Sequence, residues 1–162
     1  MDAVYLLTSQ HREMEALFKQ VLDCRDTGAT KKLFAQVADK LTTHIASEEE
    51  IFYPAVRAKR TEDILLESLE EHLSLKRLLA DLLQMQPADQ TFEAKFKVLK
   101  EQAEHHHKEE EQNLFPKVEK LLDEGARKTL AEQMMGLQNR LQAEGKPREA
   151  VIDETDSAAP LQ

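Results

Sequence analysis

The chain has 162 residues, of which 33% are charged and 41% hydrophobic, and its formal net charge is −9. This length suits one domain with a hydrophobic core. The low counts of four glycines and five prolines argue against collagen-like, low-complexity and turn-rich β classes. An acidic surface without a basic cluster disfavours a nucleic-acid partner, because phosphates would be repelled. No apolar run reaches the ~20 residues of a membrane span, so we expect no membrane partner.

The cysteine content and the first residues bear on the location of the protein. Cys24 is the only cysteine, so no internal disulfide can form, and a lone thiol fits a reducing compartment. The segment from Met1 to Leu7 lacks the basic and apolar regions of a signal peptide. We therefore expect a cytoplasmic protein.

Apolar residues recur at helical spacing in four long stretches. These stretches run from about Asp2 to Cys24, Lys31 to Val56, Glu62 to Gln84 and Thr91 to Leu122. We expect Pro116 to kink the fourth helix or to detach its last turn, because proline cannot donate the helical hydrogen bond. Four long helices joined by short loops predict an all-α fold, an up-down-up-down four-helix bundle.

The C-terminal part predicts a shorter helix followed by a tail. Residues 126–143 carry Leu and Met at helical spacing, and we expect this helix to cap the bundle rather than to dock a partner. Residues 144–162, with their prolines and acids, predict an acidic disordered tail. The predicted domain thus covers 1–143, with helix pairs at about 3–56 and 62–122 and the added helix at 126–143.

Each of the four long helices carries one histidine on its apolar, inward face: His11, His44, His72 and His106. Glu48 and Glu110 follow the second and fourth of these histidines by four residues, a spacing that places both side chains on one face. Burying so many polar groups without partners would exceed the stability of a small domain. A bound cation would remove this cost, so the pattern predicts a metal site formed by these six residues.

An internal repeat supports this site and sets its register. His11, His44 and Glu48 recur as His72, His106 and Glu110 at offsets of 61, 62 and 62 residues. The segments 44–54 and 106–116 align without a gap, and this alignment selects the fourth-helix pair from the run 105–111. The neighbouring side chains are expected on a solvated face: His105, His107, Glu49, Glu50, Glu109 and Glu111. Either neighbouring histidine is kept as an alternative ligand or as a group that supports the ligands.

The donor set favours two octahedral ions over a structural zinc. Four imidazoles and two carboxylates exceed one tetrahedral site, and no thiolate is available. With Glu48 and Glu110 bridging the ions, two coordination positions stay open for a small molecule. Imidazole and carboxylate ligands suit iron first and manganese next, while the ligand types alone do not exclude zinc.

These residues, with Ile51-Phe52-Tyr53-Pro54 and Leu114-Phe115-Pro116, resemble the hemerythrin-like family with the HHE cation-binding domain over about residues 3–122. The resemblance implies a four-helix bundle around two non-haem iron ions with carboxylate and oxo or hydroxo bridges. It also implies binding of dioxygen, or sensing of oxygen, iron, peroxide or nitric oxide. Lys76 stands where the oxygen carriers have a further histidine, and Glu111 where they have an aspartate. We therefore expect sensing, iron handling or peroxide and nitric oxide chemistry rather than oxygen transport.

Three hypotheses follow for the function. The favoured one is a di-iron protein that binds or senses dioxygen or a related small oxidant and signals through an unidentified protein partner. The second is a di-iron enzyme that scavenges peroxide or nitric oxide, and the third is an interaction module with a structural metal. A ferritin-like oxidase is disfavoured, because that class uses Glu-x-x-His spacing whereas this chain has His-x-x-x-Glu.

Overall fold

A computed structural model describes residues 1–162, and all of its regular elements are helical. The α-helices are α1 (Ala3–Asp23), α2 (Thr27–Ser47), α3 (Tyr53–Ala55), α4 (Glu62–Leu83), α5 (Phe92–Glu109), α6 (Phe115–Leu121) and α7 (Glu124–Ala143). One π-helical turn (Glu48–Phe52) joins α2 to α3, another (Glu110–Leu114) joins α5 to α6, and a 3-10 helix (Pro147–Glu154) follows α7. The prediction of an all-α helical bundle is confirmed. None of the helices has the length and apolar character needed to cross a membrane.

Aspartates begin three of the helices. Asp2 Oδ1 accepts a hydrogen bond of 2.9 Å from the backbone N–H of Tyr5 in the first turn of α1. Asp26 and Asp123 cap α2 and α7 in the same way. Each cap satisfies one of the backbone donors that the start of a helix leaves without a partner.

The second and fourth predicted helices are not continuous. In each, a π-helical turn begins at the glutamate of the predicted site, with hydrogen bonds from the N–H of Tyr53 to the C=O of Glu48 and from the N–H of Phe115 to the C=O of Glu110. The next residue is a proline at both places, which cannot donate the following bond of an α-helix. The expectation that Pro116 kinks the fourth helix or detaches its last turn is corrected: the change to a π-helical turn begins earlier, at Glu110, and α6 continues past the proline to Leu121. The prediction of one helix up to Val56 is corrected likewise, because a π-helical turn begins at Glu48 and α3 ends at Ala55.

The core consists of two apolar clusters with a layer of polar side chains between them. The first cluster includes Met14, Phe18, Leu41, Leu75 and Phe96. The second includes Leu7, Phe52, Leu69, Leu114 and Phe115. On α1 the chain passes from Leu7 in one cluster through His11 to Met14 in the other. Helix α4 passes between the clusters in the same order, whereas α2 and α5 with their π-helical turns pass in the reverse order, so the bundle encloses the polar layer at mid-height.

The C-terminal segments pack on the bundle. Helix α7 lies against α1 and α2 and buries Met134 and Leu137, as expected of a capping helix. The 3-10 helix lies against α2 and α4, buries Val151, and its Glu154 accepts a hydrogen bond from Lys76. The prediction of a disordered tail from residue 144 is therefore wrong for residues 147–154. An apolar side chain and a buried cationic partner give this acidic segment a fixed position.

Candidate metal centre

The polar layer brings the six predicted site residues together. His11, His44, His72 and His106 come from α1, α2, α4 and α5, and Glu48 and Glu110 begin the two π-helical turns. Each of the six is at most 1% exposed. Ligand atoms of His11, His44, Glu48 and Glu110 all lie within 4.8 Å of one another, as do those of Glu48, His72 and His106.

The Nε2 atoms of the histidines point toward the two glutamates. His72 Nε2 lies 3.1 Å from Glu48 Oε1 and 3.1 Å from His106 Nε2. His11 Nε2 lies 3.3 Å from Glu110 Oε1. Imidazoles from different helices thus converge on two carboxylates, which lie between the two pairs of histidines.

The opposite ring nitrogen, Nδ1, contacts an oxygen acceptor in all four of these histidines. The pairs are His11 with Glu111 at 2.7 Å, His44 with Gln10 at 2.8 Å, His72 with Glu49 at 2.9 Å, and His106 with Glu71 at 2.8 Å. An Nδ1–H that donates to such an oxygen leaves the Nε2 lone pair free and fixes the ring orientation. Metal-binding histidines are held in this manner, so the four rings are arranged as ligands would be.

The buried side-chain atoms without hydrogen-bond partners all lie in the polar layer or beside it. They are His11 Nε2, His44 Nε2, Glu48 Oε2, Glu110 Oε1 and both ring nitrogens of His107. A buried polar atom without a partner costs about 1–3 kcal/mol. Imidazole nitrogens and carboxylate oxygens are metal ligands, and two donors on one ion with bonds of about 2.1 Å are at most about 4.2 Å apart. Small side-chain movements would therefore let this donor set bind metal ions.

The electrostatics of the layer favour ligand forms at two positions. Burial and the neighbouring His11 keep the pKa of His44 well below its usual value, so this imidazole is neutral. Burial acts to raise the pKa of Glu110, but the charge of His106 and further hydrogen bonds hold it well below the usual range, so this carboxylate is ionised. Burial acts to lower the pKa of His106, but Glu110 and its hydrogen bonds raise it well above the usual value, so a bound metal ion would replace a proton of this imidazole. Burial and the charge of Glu110 raise the pKa of Glu48. A cation between the two carboxylates would relieve their repulsion.

Tyr53 is a member of the layer that the search for ligands missed. Its Oη donates a hydrogen bond of 2.7 Å to Glu110 Oε2 and lies 3.2 Å from His72 Nε2. Burial and the charge of Glu110 raise the pKa of Tyr53 well above its ordinary value, so the phenol keeps its proton. The position of Tyr53, an aromatic residue with a hydroxyl group five residues after Glu48, is the feature of the sequence that could have indicated its place in the polar layer.

Two residues expected on the solvated face are buried instead. His107 is 1% exposed and Glu49 is 9% exposed. His107 follows the buried Ala103 by four residues, and Glu49 follows the buried Ile45 by four, so each shares the inward face of its helix. By contrast, His105 and Glu50 are exposed, as predicted.

Lys76 and Glu111, the two departures from the oxygen carriers, both support the layer from outside. Lys76 is 5% exposed, and its Nζ donates to Glu49 Oε1 at 2.9 Å. Burial opposes the charge of Lys76, but Glu49 raises its pKa above the usual value. Glu111, expected on a solvated face, instead pairs with Nδ1 of His11 and with Arg12. Lys76 therefore holds Glu49, the partner of His72 Nδ1, in position and does not itself bind a metal.

Comparisons with known proteins agree with this geometry. The family model of the hemerythrin HHE cation-binding domain matches residues 2–118. The crystal structure of a hemerythrin HHE cation-binding domain-containing protein from Mycobacterium kansasii superposes with a TM-score of 0.80. The alignment covers 94% of this chain and 98% of that one at 20% identity, which demonstrates the shared fold.

A curated relative shares part of its length with this chain. It is a DNA nickase from Nostoc sp. strain PCC 7120, 28% identical over 115 residues, or 71% of this chain. The matched part makes up 33% of that protein, so the chain spans about a third of the length of this relative.

Proposed function

The chain belongs to the hemerythrin HHE cation-binding domain family, and from this premise we propose that it is a non-haem di-iron protein that binds or senses dioxygen or a related small oxidant. The observation that carries the proposal is the set of four imidazoles with engaged Nδ1 atoms and convergent Nε2 atoms around two buried carboxylates. The proposed metal ligands are His11, His44, Glu48, His72, His106 and Glu110.

The donor chemistry supports iron over the alternatives. Six nitrogen and oxygen donors in two overlapping groups exceed the four ligands of a structural zinc site. Imidazole and carboxylate ligands without thiolate suit iron, and manganese or zinc less well in this arrangement. Two iron ions bound here would supply redox-active positions at which dioxygen, peroxide or nitric oxide can bind.

The residues of the chain orient the ligands and exclude water from the site. The partners Gln10, Glu49, Glu71 and Glu111 hold the imidazole rings through their Nδ1 atoms. The two apolar clusters close the layer above and below, which leaves all six proposed ligands at most 1% exposed. Access is therefore limited to small molecules that can pass between packed side chains.

Metal content and the optical spectrum test the proposal directly. We expect the iron-reconstituted protein to hold two iron ions per chain, and its visible absorption to change when the reduced protein is exposed to dioxygen. Metal content is measured by elemental analysis, and a protein with both Glu48→Ala and Glu110→Ala serves as the control that loses iron. A refolded wild-type protein without bound iron would refute the proposal, and two ions with a spectrum indifferent to oxidants would refute the sensing role.

A second candidate, turnover of peroxide or nitric oxide, is favoured by Tyr53. Its phenol holds a proton 2.7 Å from Glu110 Oε2 inside the site, and a positioned proton donor is a common part of reductive chemistry. Turnover predicts that peroxide is consumed by disproportionation, or nitric oxide in the presence of an added electron donor, in excess of iron, with a lower rate in Tyr53→Phe at unchanged iron content. Consumption that stops at one equivalent per site would reject this candidate.

We propose no nucleic-acid substrate and no membrane partner for this chain. The net charge of −9 opposes contact with phosphates, and the matched region is a minor part of the Nostoc protein. Unchanged mobility of labelled duplex DNA with excess protein at low salt is the expected result, and a retarded band would contradict the absence of a nucleic-acid substrate.

The free Cys24 fits a reducing compartment, and we propose a cytoplasmic location with an unidentified protein partner.

A further inference from the structure

His107 differs from the other buried histidines in having no hydrogen-bond partner. Both of its ring nitrogens are buried and unpaired, whereas the Nδ1 atoms of the four proposed histidine ligands all contact oxygen acceptors. A buried imidazole with two unpaired nitrogens is costly, because each lost its hydrogen bonds to water on folding. The structure therefore contains a polar side chain that the proposed set of six ligands does not use.

The position of His107 places it beside one half of the polar layer. Ligand atoms of His11, His44 and His107 lie within 4.8 Å of one another. The ring of His107 stacks on that of His11 with centroids 3.9 Å apart and an interplanar angle of 9°. Because an imidazole lone pair lies in the plane of its ring, binding of one ion by both residues requires the His107 ring to turn out of this stack. The ring of His44 lies edge-on to that of His107 at a centroid distance of 5.6 Å. The ligand atoms of His72 and His106 are grouped with Glu48 and not with a third histidine, although the ring centroids of His106 and His107 are 5.9 Å apart.

The unpaired atoms of the layer are concentrated at this same place. The Nε2 atoms of His11 and His44 lack partners, while His72 Nε2 and His106 Nε2 contact each other, and His72 Nε2 also contacts Glu48. Three imidazoles with free nitrogens therefore face one another in the half of the layer formed by α1, α2 and α5.

We propose that His107 is an additional metal ligand, which gives the ion bound by His11 and His44 a third imidazole and makes the two metal positions unequal. This inference rests on the proposed two-metal site. It assigns three histidines to one position and two, His72 and His106, to the other. Because imidazole is a neutral ligand, the third histidine would fill a coordination position of the first ion without changing its charge, and would leave that ion with one fewer open position than the other.

Paramagnetic NMR of the cobalt(II)-loaded protein counts the ligated imidazoles without any activity assay. Each bound imidazole keeps one ring N–H, which gives a strongly shifted proton signal that disappears in D₂O. We expect five such signals in the wild-type protein and four in His107→Phe, whose aromatic ring fills the space of the imidazole but carries no ligand atom. The matched control is His105→Phe, which changes the exposed preceding histidine and should retain five signals.

Metal affinity provides a second readout. Chelator competition with cobalt(II) should show that His107→Phe weakens one of the two ions by at least about tenfold and leaves the other within twofold, since loss of even a supporting group of a metal ligand costs 10–100-fold. Circular dichroism verifies the fold of both variants, and the wild-type signal count needs no variant at all.

The outcomes separate this inference from the proposed function. Suppose that the wild-type protein binds two ions but shows four signals, and that His107→Phe binds both ions with wild-type affinity. This outcome would overturn the role of His107 and leave the di-metal site intact. Fewer than two ions in the wild-type protein would overturn the proposed function itself. Five wild-type signals that fall to four only in His107→Phe would establish the third imidazole.

Discussion

Three consecutive histidines on α5 have three different environments, and this difference governs what each can do. His105 is 65% exposed, while His106 and His107 are each 1% exposed. His106 reaches Glu71 through one ring nitrogen and the polar layer through the other. His106 therefore combines a ring orientation fixed by Glu71 with a second ring nitrogen inside the polar layer, whereas the exposed His105 has neither.

A pair of alanine variants tests this distinction. We expect His44→Ala to lower the iron content or to weaken iron binding at least about tenfold, because it removes an imidazole that lies in the layer with Nδ1 fixed by Gln10. His105→Ala should bind iron as the wild-type protein does. Both are measured by elemental analysis after identical reconstitution and desalting, and equal losses in the two variants would mean that the fourth-helix register is wrong.

The contact between Glu71 and His106 Nδ1 gives a second prediction at this scale. Glu71→Ala removes the acceptor that orients the ring, and we expect a loss of about 10–100-fold in iron affinity. Glu71→Gln should retain most of the affinity, because an amide oxygen already performs this task for His44. The exposed Glu50, changed to alanine, is the control. Similar affinities for Glu71→Ala and the control, by chelator competition, would contradict a role in orienting the ring.

The sequence was sufficient to predict the four inward histidines and the two glutamates that the structure brings together, because spacing and the repeat agree. It did not place Glu49 or His107, since residues at both i+3 and i+4 from a buried residue can lie on one inward face. Only the packing of the neighbouring helices decides whether one of these two residues is buried or both, and both are buried here. For Glu49 the deciding contacts are His72 and Lys76 on α4, which no local pattern of α2 reveals.

At the scale of the helices, the π-helical turns set the direction of the two glutamates. Each turn begins at a glutamate and ends before a phenylalanine or tyrosine of the second apolar cluster. The wider hydrogen-bond pattern inserts one residue into the helix, so that the glutamate and the following aromatic residue both face inward. The prolines at positions 54 and 116 indicate that the α-helix is interrupted. Whether the interruption is a π-helical turn depends on the contacts of the glutamate and of the aromatic residue that follows the turn.

The start of α1 allows a prediction about stability and pH. Asp2 caps the helix and also accepts a hydrogen bond of 2.9 Å from Arg127 of α7. Burial acts to raise the pKa of Asp2, but the Tyr5 N–H and Arg127 lower it overall. A lowered pKa in the folded state stabilises the protein above the unfolded-state pKa, and this contribution is lost as the pH falls through the folded-state value.

Two substitutions separate the cap from the charge. Asp2→Ala should lower the free energy of unfolding by about 1 kcal/mol at pH 7, the usual cost of a lost cap. Asp2→Asn keeps a capping oxygen and should lose less, and its difference from the wild-type protein should vanish in acid. Urea unfolding of the metal-free proteins at several pH values measures both effects. A constant difference between Asp2→Asn and wild type down to strong acid would contradict the charge contribution.

Across the whole molecule, a chain of polar contacts connects the polar layer to the C-terminal segment. His72 Nδ1 contacts Glu49, Glu49 accepts from Lys76, and Lys76 also donates to Glu154 of the 3-10 helix at 3.0 Å. Arg77 adds hydrogen bonds to the backbone oxygens of residues 155 and 156. Two cations of α4 thus hold the segment that composition marks as a tail, Lys76 through the carboxylate of Glu154 and Arg77 through two backbone oxygens.

The ion pair of Lys76 with Glu49 should contribute more to the free energy of unfolding than the pair of Lys76 with Glu154, because Glu49 is buried and Glu154 is exposed. Lys76→Met removes the cation that pairs with a carboxylate only 9% exposed, and we expect a loss of about 3 kcal/mol, typical of breaking a buried ion pair. Glu154→Gln changes a side chain that is 45% exposed and should cost less than about 1 kcal/mol. Lys97→Met, which breaks the exposed pair with Glu93, is the matched control and should cost little. Urea unfolding of the metal-free variants measures all three, and equal losses for Lys76→Met and the control would show that Glu49 needs no cation in the folded protein.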